Sequence, residues 1–166
     1  MKVCGLILAR KNSKGIVNKN LSLLDGVPLI AATIRVMKKS NCFCSIFVST
    51  DCDKIESLAK EEEALVHRRA DYTATDEASS VLAVQEFLQY HNNICLVQCT
   101  SPFLRESYLK EGFALFTNNS EWDSVFSVTR RRILRWSEDV ALLKVSAEDS
   151  FDIDSPLDSI FGPTIN

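Results

Sequence analysis

Short apolar runs that do not alternate with polar residues recur along the chain. The runs at 3–9, 45–49, 64–66, 94–98 and 124–128 predict strands that are buried on both faces of a sheet. Apolar residues spaced three and four apart predict helices between these strands. The helical positions are Leu29, Ile30, Ile34 and Met37; Ile55, Leu58 and Ala59; Val81, Val84, Phe87 and Leu88; and Leu109, Phe113 and Phe116.

Turn residues separate these segments. Asp25-Gly26 predicts a turn, and Pro28 stands where the first turn of a helix accepts proline. The alternation of strands and helices predicts an α/β fold, a three-layer α/β/α Rossmann-like arrangement with a mostly parallel sheet. No internal repeat, linker or low-complexity segment interrupts the pattern, so a single domain over 1–166 is expected.

Polar loops follow the predicted strands. They lie at 10–20, 49–52, 68–80 and 98–102. In open α/β sheets ligands bind beyond the carboxyl ends of the strands, where all these loops would lie. The sequence therefore predicts one crevice that gathers the four loops.

Composition narrows the class of protein only slightly. The 166 residues are 46% hydrophobic and 25% charged, and the formal net charge is −3, which is ordinary for a globular domain. This charge favours neither nucleic acid nor an anionic membrane as a partner, and the arginines at 130–132 change that little. The apolar run at 3–9 is too short for a membrane span or a signal-peptide core. A cytoplasmic or nuclear location is expected.

The distribution of charge is more informative than its sum. Residues 1–24 contain five basic residues and no acidic one, whereas residues 148–158 contain five acidic residues and no basic one. A compact basic segment and a compact acidic segment indicate an anion site and a cation site. The basic residues are Lys2, Arg10, Lys11, Lys14 and Lys19, and the acidic ones are Glu148, Asp149, Asp152, Asp154 and Asp158.

The loop after the first strand is a candidate phosphate site. It places Arg10, Lys14 and Lys19 around Ser13 and Gly15. Several cations offset the charge of a polyphosphate, and a turn of small residues lets backbone N–H groups approach its oxygens. The loop matches neither the Walker A motif nor the three-glycine dinucleotide motif. Its spacing alone is equally compatible with a solvated basic loop.

The acidic segment is a candidate metal site. Asp152 and Asp154 are two residues apart, so they point to the same face of an extended segment. Two such carboxylates repel unless a cation joins them, and Mg²⁺ is commonly held by one or two carboxylates together with substrate phosphates. The alternative is an acidic surface tail.

The cysteines and histidines favour structural roles. Among the six cysteines, Cys42 and Cys44 have the wrong spacing for a zinc knuckle or a redox motif. Reduced cysteines that act as small hydrophobic residues are expected. His67 and His91 belong to no recognisable nucleophile motif, so structural or surface roles are expected for them.

These segments together resemble a known family. The stretch Leu8-Ala9-Arg10-x-x-Ser13-Lys14-Gly15-Ile16, which ends at Lys19-Asn20, is similar to the opening signature of the CMP-sialic acid synthetases, or N-acylneuraminate cytidylyltransferases. The resemblance is strongest to the animal enzymes and covers most of residues 3–138. It continues at 48–51, 66–69, 98–102, 123–128 and 135–138.

The resemblance implies a nucleotidyltransferase that uses CTP and a sialic acid, with Mg²⁺ as cofactor, to form CMP-sialic acid and pyrophosphate. It implies that Arg10, Lys14 and Lys19 hold the triphosphate and stabilise the leaving charge. It also implies metal ligation by Asp152 and Asp154, and a homo-oligomer. The implied nucleotide- and substrate-binding positions are Arg10, Ser13, Asn20, Arg69, Ala78, Ser80 and Gln98, where Ala78 offers only backbone groups.

The chain also departs from the family pattern. Between Glu138 and Ser150 the family has several dozen more residues, which carry sialic-acid contacts and a dimerisation arm, and animal relatives have a further C-terminal domain. An internally shortened domain without a second domain is therefore expected. Two functions stay open: a sialic-acid cytidylyltransferase, or a catalytically impaired nucleotide-binding variant that pairs with or regulates a full-length enzyme.

Overall fold

The computed structural model describes residues 2–11, 18–119, 121–128 and 141–144. Its helices are α1 (Leu29–Ser40), α2 (Asp53–Glu61), α3 (Ser80–Leu88) and α4 (Glu106–Asn118). Its strands are β1 (Cys4–Leu8), β2 (Leu23–Leu24), β3 (Val27–Pro28), β4 (Ser45–Thr50), β5 (Leu65–Arg68), β6 (Ile94–Leu96), β7 (Val125–Val128) and β8 (Ala141–Lys144).

A four-stranded parallel sheet forms the centre of the fold. Its strand order is β5-β4-β1-β6, and every neighbouring pair is parallel. Because β1 lies between β4 and β6 and both sheet faces are covered, Leu6 and Ile7 on its opposite faces have no exposed surface. This explains the uninterrupted apolar run of β1 and confirms the predicted parallel α/β sheet.

Helices cover both faces of this sheet. On one face, Ile34 of α1, Ile55 of α2 and Leu109 of α4 belong to the same buried cluster as Val48 of β4. On the other face, the ring of Phe87 in α3 packs edge-on against Phe47 of β4, with 5.3 Å between ring centroids. Val48 and Phe47 point in opposite directions because adjacent strand residues alternate between faces. The three predicted layers are confirmed.

A tight hairpin leads the chain into α1. Asp25 and Gly26 both have positive φ angles, 51° and 78°, as the two central residues of a type I′ turn require. This confirms the predicted turn, which joins β2 to β3. Pro28 ends β3 and immediately precedes α1. It was predicted in the first turn of this helix and lies one position before that turn.

Three predicted strands differ from those observed. The run at 94–98 forms a strand only to Leu96, which is 42% exposed, because β6 lies at an edge of the described sheet. The strand predicted at 64–66 is observed as β5, which begins at Leu65 and extends to Arg68. It is longer than predicted because Arg68 still pairs with Thr50 of β4. The run at 124–128 forms β7, which pairs with β8 in a separate two-stranded sheet. No strand was predicted from the sequence at the position of β8.

No helix in the described ranges is long and apolar enough to span a bilayer.

Candidate functional site

The carboxyl ends of β1, β4, β5 and β6 meet at one edge of the sheet because these strands are parallel. Backbone bonds continue beyond the strand ends. The N–H of Ala9 donates to the carbonyl of Ser49 at 2.9 Å, and the N–H of Arg69 donates to that of Thr50 at 3.0 Å. The N–H of Val97 likewise donates to the carbonyl of Leu6 at 2.9 Å. The described residues that directly follow β1, β4 and β5 therefore lie together with the end of β6 at the edge of the sheet where the crevice was predicted.

Arg10 joins the first loop to the segment before α3. Its Nη1 donates to the carbonyl of Thr75 at 2.6 Å and lies 2.9 Å from Oδ1 of Asp76. The Arg10 side chain is 23% exposed, whereas that of Asp76 is 52% exposed. Arg10 therefore already has an acidic partner, and an anionic ligand would compete with Asp76 for its guanidinium.

Asn20 is buried and connects the first loop to the segment after β6. Its Nδ2 donates to the carbonyl of Arg10 at 3.1 Å, and its Oδ1 accepts a hydrogen bond from Sγ of Cys99 at 3.1 Å. A donor on one side and an acceptor on the other fix the orientation of the amide. Asn20 thus positions the Arg10 backbone, and direct contact with a nucleotide stays a prediction.

Asp51 holds the start of the first loop against the end of β4. Its Oδ1 accepts a hydrogen bond from the backbone N–H of Lys11 at 2.7 Å. A carboxylate that accepts from a backbone N–H makes a strong, charge-assisted bond. The loop therefore leaves the sheet in a fixed direction.

Arg69 is the buried cation of the crevice. The residue is 6% exposed, and its Nε donates to Oγ of Ser49 at 3.3 Å. Its Nη2 has no hydrogen-bond partner among the described residues. Burial lowers the pKa of the Arg69 guanidinium; Asp51 acts in the opposite direction, and the charge of Arg10 lowers the pKa further.

The unpartnered donor of Arg69 is costly. A guanidinium remains protonated at neutral pH, and a buried donor without an acceptor costs about 1–3 kcal/mol, or more when it is charged. An acceptor oxygen or nitrogen on a ligand in the crevice would remove this cost. Arg69 is therefore the described residue at this edge that a ligand acceptor atom would stabilise most directly.

The remaining predicted residues lie around the same edge or outside the described ranges. Gln98 is exposed two residues after β6, and its carbonyl accepts a hydrogen bond from the N–H of Ser101 at 3.3 Å. The N–H of Ala78 is already bonded to Thr75. Ser80 begins α3, and Lys19 lies in a half-buried 3₁₀ turn. The residues outside the described ranges are Ser13, Lys14, Asp152 and Asp154.

Four residues at this edge have contacts that were not predicted from the sequence: Ser49, Thr75, Asp76 and Cys99. The polar end of the β4 run could have indicated Ser49. The contact between Arg10 and Thr75 joins residues 65 positions apart, so no local pattern announces it. Within the described ranges, no group of three or more His, Cys, Asp or Glu side chains could hold a metal ion. The predicted metal site thus depends on Asp152 and Asp154.

The sequence of the chain decides its family. The model of the family described as cytidylyltransferase matches residues 4–150. The chain belongs to the cytidylyltransferase family. It is 44% identical over 139 residues to N-acylneuraminate cytidylyltransferase A of Danio rerio, and 45% identical over 139 residues to N-acylneuraminate cytidylyltransferase of Oncorhynchus mykiss. Each alignment covers 82% of this chain and 32% of the relative, so the chain spans about a third of the length of these curated relatives.

Two solved structures share the fold of this chain. One is a CMP:2-keto-3-deoxy-manno-octonic acid synthetase complexed with CTP, which is 16% identical with a TM-score of 0.68 over 76% of this chain and 52% of its own. Another is 4-diphosphocytidyl-2C-methyl-D-erythritol synthase from Anaerococcus prevotii, which is 12% identical with a TM-score of 0.69 over 97% of this chain and 96% of its own. At these identities the similarity confirms the predicted fold.

Proposed function

We propose that this chain binds CTP in the crevice and transfers CMP to a sialic acid, with release of pyrophosphate. The proposal rests on the buried Nη2 of Arg69, which has no hydrogen-bond partner among the described residues and lies where the strand ends meet. Membership of the cytidylyltransferase family supports CTP as the nucleotide, and the fish relatives named N-acylneuraminate cytidylyltransferase support a sialic acid as the acceptor.

The nucleotide would be held by residues from several loops. Arg10, Lys14 and Lys19 would offset the charge of the triphosphate, with Ser13 allowing close approach of the backbone. Arg69 would donate to an acceptor atom of the nucleotide, and Asn20 would keep the Arg10 segment in place. Ala78 and Ser80 would contribute polar groups beside α3.

The reaction would be a displacement at the α-phosphorus of CTP. A sialic acid hydroxyl oxygen would form a bond to this phosphorus, the bond to the pyrophosphate oxygen would break, and the hydroxyl proton would pass to solvent. Charge develops on the leaving pyrophosphate, so Arg10, Lys14 and Lys19 would lower the barrier by electrostatic stabilisation. Gln98, exposed at the end of β6, would contact the sugar beside the reacting atoms.

Mg²⁺ would be held by Asp152 and Asp154 together with phosphate oxygens, the usual arrangement for this ion. When bound, it would neutralise part of the triphosphate charge. Asp51 already accepts a hydrogen bond from the N–H of Lys11, and Asp76 already pairs with Arg10. This favours Asp152 and Asp154 as the metal ligands. A homo-oligomer belongs to the same proposal by resemblance to the family, and the cytoplasmic or nuclear location stays the expectation drawn from the sequence.

Release of pyrophosphate tests the proposal. With CTP, Mg²⁺ and N-acetylneuraminate, the 166-residue chain is expected to release pyrophosphate, and omission of either the sugar or Mg²⁺ should abolish the release. Binding of CTP without release at high protein concentration would contradict the transferase function. That result would instead support the nucleotide-binding variant that pairs with or regulates a full-length enzyme.

Removing the acidic partner of Arg10 should strengthen nucleotide binding. In Asp76→Asn the Arg10 guanidinium no longer has to leave a carboxylate, and because partly exposed ion pairs contribute up to about 1 kcal/mol, CTP affinity should rise about 2- to 5-fold. Calorimetric titration at low salt measures this change. Glu77→Gln is the control, since it removes an equal charge from the next, exposed residue. Equal gains in both variants would contradict a specific contact with Arg10.

A further inference from the structure

Two cysteines meet at the edge of the sheet opposite to the crevice. Cys4 begins β1, and Cys44 immediately precedes β4. Their Sγ atoms are 3.6 Å apart, although 40 positions separate the two residues in the chain. Both are free thiols. This pair is distinct from Cys42 and Cys44, whose spacing along the chain fits neither a zinc knuckle nor a redox motif.

The sheet itself holds the two sulfur atoms close together. The N–H of Cys44 donates to the carbonyl of Val3 at 3.0 Å, and the N–H of Cys4 donates to that of Asn93 at 2.9 Å. Cys4 lies directly opposite Ser45 in the register of β1 and β4. The separation of the two residues is therefore fixed by backbone pairing, and rotation of the side chains is enough to change the distance between the sulfur atoms.

The two thiols differ in accessibility. Cys44 is exposed and Cys4 is half-buried. Burial raises the pKa of Cys4, a hydrogen bond donated by Ser45 Oγ at 3.3 Å lowers it, and the neighbouring Cys44 raises it again. Reagents in solution therefore reach Cys44 first, and Cys4 lies in position to react with the product.

The other described cysteines are less suited to such chemistry. Cys52 and Cys99 are buried. Burial raises the pKa of Cys95 to about 11, which leaves almost no thiolate at neutral pH. Cys42 is half-buried and so less accessible to reagents than the exposed Cys44.

We propose that Cys4 and Cys44 are a modification site for low-molecular-weight disulfides, through which they form a reversible intramolecular disulfide. The thiolate of Cys44 attacks one sulfur of an oxidant such as glutathione disulfide, forms a mixed disulfide and expels a glutathione thiolate. The thiolate of Cys4 then attacks the sulfur of Cys44 and expels the second glutathione thiolate. The two protein thiols lose two electrons and two protons, and glutathione disulfide is reduced to two thiols.

This bond would connect β1 to β4 and close the chain segment that contains the first loop and α1. A disulfide that closes a long loop restricts the unfolded chain and so stabilises the folded one. Oxidised protein is therefore expected to unfold at a temperature several degrees higher than reduced protein. A reducing thiol should reverse this shift.

Peptide mapping after oxidation tests the proposal. The folded 166-residue chain is incubated with glutathione disulfide, alkylated and digested with trypsin without reduction. Trypsin places Cys4 in peptide 3–10, whereas peptide 40–54 contains Cys44 together with Cys42 and Cys52. Wild-type protein and the control Cys42→Ser should both give the two peptides joined, with two hydrogens fewer than the sum of the peptides in which Cys4 and Cys44 are free thiols and the remaining cysteines are alkylated. Fragmentation of the joined peptides should place the bond at Cys44.

Single variants resolve the order of the two steps. Cys4→Ser should retain glutathione on Cys44, because the second thiol is missing. Cys44→Ser should give neither a cross-link nor an adduct on Cys4, and it should lose the thermal shift. Circular dichroism verifies that each variant is folded. A bond from Cys4 to Cys42 or Cys52, a cross-link that persists in Cys44→Ser, or adducts without a cross-link in wild-type protein would overturn the proposal.

Discussion

Replacing Arg69 by methionine is expected to weaken CTP binding about 10- to 100-fold, because charged hydrogen bonds contribute about 1.5–3 kcal/mol each. The Arg69 residue is 6% exposed, and its Nη2 has no acceptor among the described residues. Methionine has similar length but no charge, so it removes the buried cation without leaving a large cavity. The stability of the ligand-free protein should therefore be unchanged or higher while affinity falls.

The preceding residue supplies a matched control for this prediction. Arg68 is exposed, and it pairs with Asp53 at 2.8 Å and Glu56 at 2.9 Å on α2. Arg68→Met removes the same charge at the next position, yet calorimetry should show CTP affinity within about 2-fold of wild type, because exposed ion pairs contribute little. Equal losses in the two variants, or wild-type affinity in Arg69→Met, would show that Arg69 does not hold the nucleotide.

Truncation of Phe87 should be the most destabilising of the proposed substitutions. Phe87→Ala is expected to lower the free energy of unfolding by about 3–5 kcal/mol, the usual cost of emptying a buried aromatic site. The ring has no exposed surface and contacts three others, with centroid distances of 5.3 Å to Phe47, 5.1 Å to His67 and 4.3 Å to His91. These contacts attach α3 to its face of the sheet.

Urea denaturation measures this loss, and the adjacent helix position serves as its control. Leu88 is 40% exposed, so Leu88→Ala should cost less than about 1 kcal/mol. Similar losses in both variants would mean that α3 packs through a different face.

The two histidines beside Phe87 have structural contacts: His67 Nε2 lies 2.7 Å from Oε2 of Glu86, and His91 stacks on Phe87. This agrees with the structural roles expected for both from the sequence.

The parts of the fold that were predicted correctly depend on local patterns. The spacing of Ile30, Ile34 and Met37 places all three on one side of α1. This side faces the sheet, because all three residues are at most 1% exposed. The turn at Asp25-Gly26 follows from backbone conformations that these residues tolerate. In both places the sequence pattern and the physical cause lie within a few residues of each other.

The parts that were wrong or missed depend on contacts between distant segments. Leu96 belongs to an apolar run, but its exposure is set by the order of the strands, which no local pattern contains. The hydrogen bond between Cys99 and Asn20 joins residues 79 positions apart, and Cys4 and Cys44 meet across 40. Residue types therefore indicated phosphate chemistry at Arg10, whereas its partner Asp76 could be found only from the structure.

A crystal structure of this chain with CTP and Mg²⁺ tests the proposed nucleotide site. CTP is expected at the carboxyl ends of β1, β4, β5 and β6, with an acceptor atom of the nucleotide about 3 Å from Nη2 of Arg69. The triphosphate is expected beside Arg10. CTP bound elsewhere, or bound in the crevice with the Arg69 guanidinium still lacking an acceptor, would contradict the proposed site.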